Sequence, residues 1–315
     1  MDIRTASTTR REQCREADAV DQHTGSGSTL PPIVAGVDGS PASLTAAEHA
    51  AYAAVLRARP LRLVHGFLTA FDHGLPHNPY RGEPLEPDEA ARRTLADLAG
   101  ALRRRWPHLA VHRHHAPRGG AAALIDESQR ADLVVIGSRD DTPAVERILG
   151  SVDAQIAAYA HSPVLVVRPA RRPVDHPGPI VVGVDGSPAA QVALALAADE
   201  AARRSRPLVI VHCWSARAVR DARETFPGIE ASAMAWAGDL VAAAAAAAHA
   251  RWPGVVVTEQ LIHTTDPARA LAAASRDACL LVVGARPRTW LAGTLLGSVS
   301  QRLLRHAPCP VLVAR

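Results

Sequence analysis

The chain has 315 residues, with 35 basic against 31 acidic side chains for a formal charge of +4; 48% of residues are hydrophobic, 21% charged and 3% aromatic. These proportions describe a globular protein long enough for two domains, whose cores must be built from Val, Leu, Ile and Ala. Every one of the 35 is arginine, which excludes the P-loop lysine, a Schiff-base lysine and the strand lysine of protein kinases; the arginines alternate with acids, so no nucleic-acid partner is expected.

Residues 1–31 mix charged and small polar residues with few large apolar groups and are expected to form a flexible tail. From Ile33 a β-branched run (33–37) meets Asp38-Gly39-Ser40-Pro41 and then an Ala-rich stretch to about Arg57, which reads as strand, turn and helix with Ser40 as N-cap and Pro41 at the first helical position. A second strand is predicted at 61–65, an irregular segment at 68–87, a helix at 88–106 and a third strand near 110–114. A helix at 121–130, a fully apolar strand at 133–137, a helix after Ser151 and a last strand at 164–168 complete the series. Strands that alternate with helices and are apolar on both sides imply a parallel sheet covered on both faces.

After a Pro-rich connector (171–179) the series begins again. Ile33-Val-Ala-Gly-Val-Asp38-Gly-Ser-Pro returns as Ile180-Val-Val-Gly-Val-Asp185-Gly-Ser-Pro, 147 residues later. His65 and His212, Gly137 and Gly284, Gly150-Ser151 and Gly297-Ser298 keep that interval. A period of this size is a whole domain rather than a solenoid unit. Strands are predicted at 180–184, 208–212, 255–262, 280–284 and 311–314, and the Ala run at 240–248 belongs to a helix with no assigned chemistry. The expected fold is α/β, with two tandem copies of a Rossmann-like five-stranded parallel sheet at 32–170 and 180–315.

The four cysteines, Cys14, Cys213, Cys279 and Cys309, show neither C-x-x-C nor zinc-finger spacing. Free thiols in a reducing cytoplasm are expected, with a Cys279–Cys309 disulfide as the alternative. The apolar segment at 240–248 is short and flanked by Asp239 and His249, so neither a membrane span nor a secretion signal is expected.

Ligands of open parallel sheets sit beyond the carboxyl ends of the strands, where the repeated residues fall. Glycine loops that run from Gly137 to Gly150-Ser151 and from Gly284 to Gly297-Ser298 would offer backbone N–H groups and a helix dipole to phosphate; the alternative is that Gly-Ser merely begins a helix. Asp38 and Asp185 are either ligand contacts or turn formers. His65 and His212 are either packed strand ends or catalytic groups, with no nucleophile and acid at matching spacing to favour the latter. His112, His114 and His115 read as a solvated strand or, less directly, a metal site.

Taken together, V-D-G-S-P, the strand ending in His, G-S-V after the loop and the closing H-x-P-V-L-V phrase resemble the universal stress protein family in its tandem form, from about residue 32 to the end. The resemblance implies a five-stranded parallel sheet with helices on both faces. It also implies ATP binding through Gly, two residues, Gly, nine residues, then Gly-Ser or Gly-Thr. On this chain it places phosphate contacts at Gly137, Ser138, Arg139, Arg147, Gly150, Ser151 and Val152, and at Gly284, Ala285, Arg286, Gly297, Ser298 and Val299. Base and sugar contacts fall at Gly36, Asp38 and Gly66, and at Gly183, Asp185 and Cys213. Both copies depart from the pattern at its middle glycine. Asp140 there repels a triphosphate unless Mg²⁺ lies between them, and Pro287 removes a backbone donor.

The leading expectation is a cytoplasmic stress-response protein that binds ATP as a regulatory ligand and is not an enzyme. The alternative is a partner-interaction module of the same family without nucleotide, acting on an unknown protein partner; a nucleotide-using enzyme ranks last. The family pairs domains through the last strand, so 164–168 and 311–314 are expected to join the two halves, and the assembly to be a monomer or a homodimer of such tandem units.

Overall fold

The computed structural model describes residues 30–67, 89–138, 152–168, 173–214, 229–285 and 297–315. The first half runs β1 (Ile33–Gly36), α1 (Pro41–Arg57), β2 (Leu61–Gly66), α2 (Glu89–Arg105), β3 (Val111–Ala116), α3 (Gly120–Glu127), β4 (Leu133–Gly137), α4 (Val152–Tyr159) and β5 (Val164–Val167). The second runs β6 (Ile180–Val184), α5 (Pro188–Arg204), β7 (Leu208–Trp214), α6 (Ile229–Arg251), β8 (Val257–His263), α7 (Pro267–Ala274), β9 (Leu280–Gly284), α8 (Ser298–His306) and β10 (Val311–Ala314). All ten predicted strands are present. Of the expected tail at 1–31, residues 1–29 lie outside the described residues, as does the irregular segment at 68–87.

The strands form one sheet in the order β3-β2-β1-β4-β5-β10-β9-β6-β7-β8. Every pairing is parallel except the join between the halves, where β5 and β10 run antiparallel with Leu165 opposite Leu312. Last-strand pairing therefore does unite the two copies. Arg168 after β5 donates to the Leu304 carbonyl of α8, and Arg315 after β10 donates to the Ala157 carbonyl of α4. Each residue of the first contact lies 147 positions from its counterpart in the second, so the join is a pseudo-twofold, self-complementary interface.

Alternation along the strands feeds two apolar layers. Ile33, Ala35, Leu61 and Leu63 point to one face, which α1, α2, α5 and α6 cover. Val34, Val64, Val134 and Val166 point to the other, beneath α3, α4, α7 and α8. Cys279 packs in the first layer and Cys309 in the second. Both are free thiols, held on opposite sides of the sheet although their strands are neighbours.

Helix α1 starts as the sequence predicts: Ser40 is its N-cap, accepting from the Ser43 amide at 3.3 Å, with Pro41 next. Ser187 and Pro188 repeat this for α5. The buried side of α1 is almost entirely alanine, so its backbone approaches the sheet closely. The outermost strands β3 and β8 are polar, carrying His112, Arg113 and His114 on one and Glu259 and Gln260 on the other, which discourages edge-to-edge association. Helix α6 is longer than the Ala run at 240–248 implied. Its residues Ala231–Arg251 are long and apolar enough, by length and composition, to cross a membrane; of these Ala237, Val241 and Ala248 are buried against the protein and the others are exposed or half-buried.

Candidate functional site

The strand order makes a crevice. From β1 the chain steps outward to β2 and β3, then returns to the other side of β1 at β4; β6 and β9 stand in the same relation in the second half. Connections leaving the carboxyl ends of these central strands diverge to opposite faces, the usual location of a ligand in such sheets.

In the second half a cleft of about 240 Å³ opens at this point. It brings together Gly183, Asp185, Cys213, Gly284, Gly297, Ser298 and Val299, all of them positions singled out in the sequence. Ala285 is not in the lining; its amide extends the sheet by donating to the Ala314 carbonyl at 3.0 Å. Sequence reasoning missed the apolar wall made by Val211, Pro267 and Leu271. Pro267 had a signal available: Asp266-Pro267 follows the predicted strand as a capping pair, and Asp266 does accept from the Arg269 amide at 3.1 Å.

Helix α8 points its first turn into this cleft. Its N-cap is Gly297, which has no side chain to satisfy the leading amides. Helices α1, α5 and α7, by contrast, spend a first-turn amide on Ser40, Ser187 and Asp266. Among the described residues the α8 terminus therefore combines amides without a side-chain cap with the positive end of the helix dipole, a physical match for an anionic group.

Asp185 holds its own turn. Its Oδ1 accepts from the Ser187 amide at 3.0 Å, and Gly186 adopts φ +80, a left-handed conformation that favours glycine. Asp38 and Gly39 do the same in the first half, with the Ser40 amide 2.9 Å from Asp38 Oδ1 and φ +82. The turn-forming reading thus describes both aspartates, and Asp185 borders the cleft while doing it.

Gly137 and Gly284 have a packing reason as well. A Cβ on Gly137 would lie 2.4 Å from the Ala42 carbonyl carbon and oxygen, and one on Gly284 would lie 2.6 Å from the Ala189 oxygen. The alanine-faced helices α1 and α5 press onto the ends of β4 and β9, leaving no room for a side chain. Ser138 is likewise committed: its amide donates to Val167 and its hydroxyl donates to Asp153 at 2.7 Å.

His65 and His212 are strand-end supports. Each Nδ1–H donates to a neighbouring carbonyl, Val37 at 2.8 Å and Val184 at 2.7 Å. His114 lies 3.6 Å from Glu127, and among the described residues no group of three or more His, Cys, Asp or Glu is placed to hold a metal.

The halves differ beside Gly66 and Cys213. A Cβ at Gly66 would meet the Gly120 Cα at 2.7 Å, so the first half is closed there. In the second half the Cys213 sulfur fits, 4.0 Å from the Pro267 carbonyl oxygen. Burial pushes this thiol up to about 11, keeping it protonated and non-nucleophilic at neutral pH. Gly36 ends β1 against Leu124, and Val152 is the first residue of α4. Arg139, Arg147, Gly150, Ser151 and Arg286 lie outside the described residues, as do Asp140 and Pro287.

The pattern of the universal stress protein family matches the chain twice, over residues 30–168 and 177–315. A universal stress protein of Mycobacterium tuberculosis is 35% identical over 297 residues, covering 92% of this chain and 98% of that protein. A second from the same organism is 34% identical over 294 residues, covering 90% and 96%. Among solved structures, a universal stress protein from Archaeoglobus fulgidus has the same fold with a TM-score of 0.63 at 17% identity, covering 90% of this chain and 96% of that one. With two matched domains in tandem and relatives of this similarity along nearly the whole length, the chain belongs to the universal stress protein family.

Proposed function

We propose that the protein is a cytoplasmic stress-response factor that binds an adenine nucleotide, ATP, in the second-half cleft as a regulatory ligand. The observation that carries this reading is the uncapped α8 terminus at Gly297, opening onto a crevice that also holds the Asp185 turn and an apolar wall. The α8 amides suit a phosphate, the wall formed by Val211 and Leu271 suits a flat base, and Asp185 suits a ribose or adenine donor. At about 240 Å³ the cleft is sized for the nucleoside part. Turnover is not its proposed role, because Asp185 is engaged by the Ser187 amide and Cys213 is a protonated thiol. A homodimer of tandem units, or a monomer, is the proposed assembly.

The test is isothermal titration of nucleotide-stripped protein with ATP, with and without Mg²⁺, for the wild type and Gly297→Leu. Gly297 has φ −63 and ψ 152, which leucine adopts without strain, so the variant blocks the amides rather than the fold. Saturable binding by the wild type and at least about tenfold weakening in the variant are expected; equal affinities would refute the phosphate role of α8. One observation favours the alternative of a nucleotide-free interaction module: Gly137 and Gly284 are fully accounted for by helix packing. Absence of ATP binding by the wild type would establish that alternative over the present one.

A further inference from the structure

A second depression lies on the opposite side of the Asp185 turn, between α5 and α6. It encloses about 420 Å³ and is walled by Leu194 and Ala198 of α5 and by Leu240, Ala244 and Ala248 of α6. The side chains that line it are apolar apart from Gln191 and Arg251. Its α6 wall runs from Leu240 to Arg251, three helical turns or about 16 Å. The result is a groove, open along Ala243 and Ala247, with one cation at its far end.

Comparison of the two copies shows how the space arises. Arg105-Trp106-Pro107 at the end of α2 returns as Arg251-Trp252-Pro253 at the end of α6, which aligns Leu98 with Ala244 and Leu102 with Ala248. In the first half Leu102 is buried and Leu98 packs against the same core. Arg105 there reaches across to Glu48 of α1 at 3.5 Å. In the second half both leucines are alanines and the position of Glu48 is taken by Ala195. Leu194, where the first half has Ala47, returns only part of the lost volume.

Arg251 is left differently engaged. Its Nε donates to Asp199 Oδ1 at 3.3 Å, an oxygen that also accepts from Trp252 Nε1 at 2.7 Å. Its terminal guanidinium nitrogens have no acceptor among the described residues. A forked donor of this kind is suited to a carboxylate.

We propose that this groove binds a fatty-acid-type ligand, its aliphatic chain lying between α5 and α6 and its carboxylate at Arg251. The elongated shape selects a linear chain, the methyl and isobutyl lining favours aliphatic over aromatic surface, and the single terminal cation sets the orientation. The ligand gains by removing apolar surface from water along both helices. This site is independent of the nucleotide reading.

The test titrates the full chain with dodecanoate below its micellar concentration, with dodecanol as the uncharged control. The wild type is expected to bind dodecanoate saturably at one site. The double variant Ala244→Leu/Ala248→Leu restores the side chains that the first half uses, so it is expected to melt no lower than the wild type while losing dodecanoate affinity at least about tenfold. Arg251→Gln is expected to weaken dodecanoate about tenfold, the value of a charge-assisted hydrogen bond, and to leave dodecanol unchanged. No saturable binding by the wild type overturns the proposal, including the case in which sedimentation shows a second copy of the chain covering the groove. Wild-type affinity in the leucine variant, or an equal effect of Arg251→Gln on both probes, overturns it as well.

Discussion

Replacing Glu200 by glutamine tests what holds the two halves together beyond the sheet. Arg57 and Arg204 are counterparts in the repeat, 147 residues apart, and both bond to this one carboxylate: Arg57 Nη2 to Oε1 at 2.6 Å and Arg204 Nε to Oε2 at 2.8 Å. The counterpart of Glu200 itself is Ala53, so the pseudo-twofold supplies two arginines and a single shared acid. Their side chains are only 6%, 7% and 3% exposed for Arg57, Arg204 and Glu200. Burial alone would raise the Glu200 pKa, but Arg204 and Arg57 override it and hold the carboxyl below its ordinary range. Glu200→Gln keeps the shape and removes the charge, leaving Arg204 without its buried partner and Arg57 with Asp132 alone at 2.5 Å. Removing one member of a buried ion pair costs about 3–5 kcal/mol, and the surviving Asp132 contact puts the expected loss at ~3 kcal/mol. At roughly 2–4 °C per kcal/mol this lowers the melting temperature by about 6–12 °C. Scanning calorimetry and urea unfolding of both proteins are the assays. Because the lost contact joins α1 to α5, the variant's transition should also broaden as the halves unfold less cooperatively. A change under ~1 kcal/mol would refute the reasoning by showing that the cluster is effectively solvated. The pH dependence has a fixed sign. A depressed carboxylate stabilises above its unfolded pKa, and that stabilisation disappears as pH falls through the folded value, so the gap between wild type and variant should close in acid.

Gly137→Ala and Gly284→Ala should each lose about 1–3 kcal/mol in urea unfolding, since the new Cβ meets the backbone of Ala42 or Ala189; Gly183→Ala, which meets the movable end of Leu271 at 3.1 Å, should lose less. Equal effects at the three positions would remove the packing explanation. His49 is buried and its pKa is lowered to about 4, first by burial and then by the charge of Arg204. The unfolded chain takes up this proton near 6.5, so stability is intact above that value and falls between pH 6.5 and 4 by about 3 kcal/mol. His49→Leu, which copies the repeat counterpart Leu196, should flatten that part of the profile; an NMR titration placing the His49 imidazole near 6.5 in the folded protein would contradict the assignment.

Strand positions and their parallel sense were legible because strands such as Leu133–Gly137 are apolar on both sides, and the turns because Asp-Gly-Ser-Pro specifies Asx turn, left-handed glycine and N-cap in four residues. Pairing of β5 with β10 was expected from the family resemblance; the residues themselves carry no local signal of it. Seven second-half positions singled out in the sequence line one cleft, yet the packing reason for Gly137 and Gly284 is not readable in the sequence, since the approach of α1 and α5 to those glycines is a tertiary fact. The Ala run of α6 was seen as a propensity feature. That it marks missing volume emerges only when α6 is laid over α5 and compared with its leucine-bearing counterpart.

The antiparallel join of β5 and β10 has a consequence for how the two copies diverge. When separate chains pair through a self-complementary edge, like finds like, and any specialised variant must be sorted from its unspecialised sibling. A covalent tether removes that sorting, because the local concentration of each edge for the other is fixed by the chain and does not fall on dilution. Every molecule then contains one half of each kind in a strict one-to-one ratio. Glu200 without a twin, Cys213 opposite Gly66, and alanines opposite leucines are changes that such an arrangement tolerates, since each need work in only one of two permanently unequal environments.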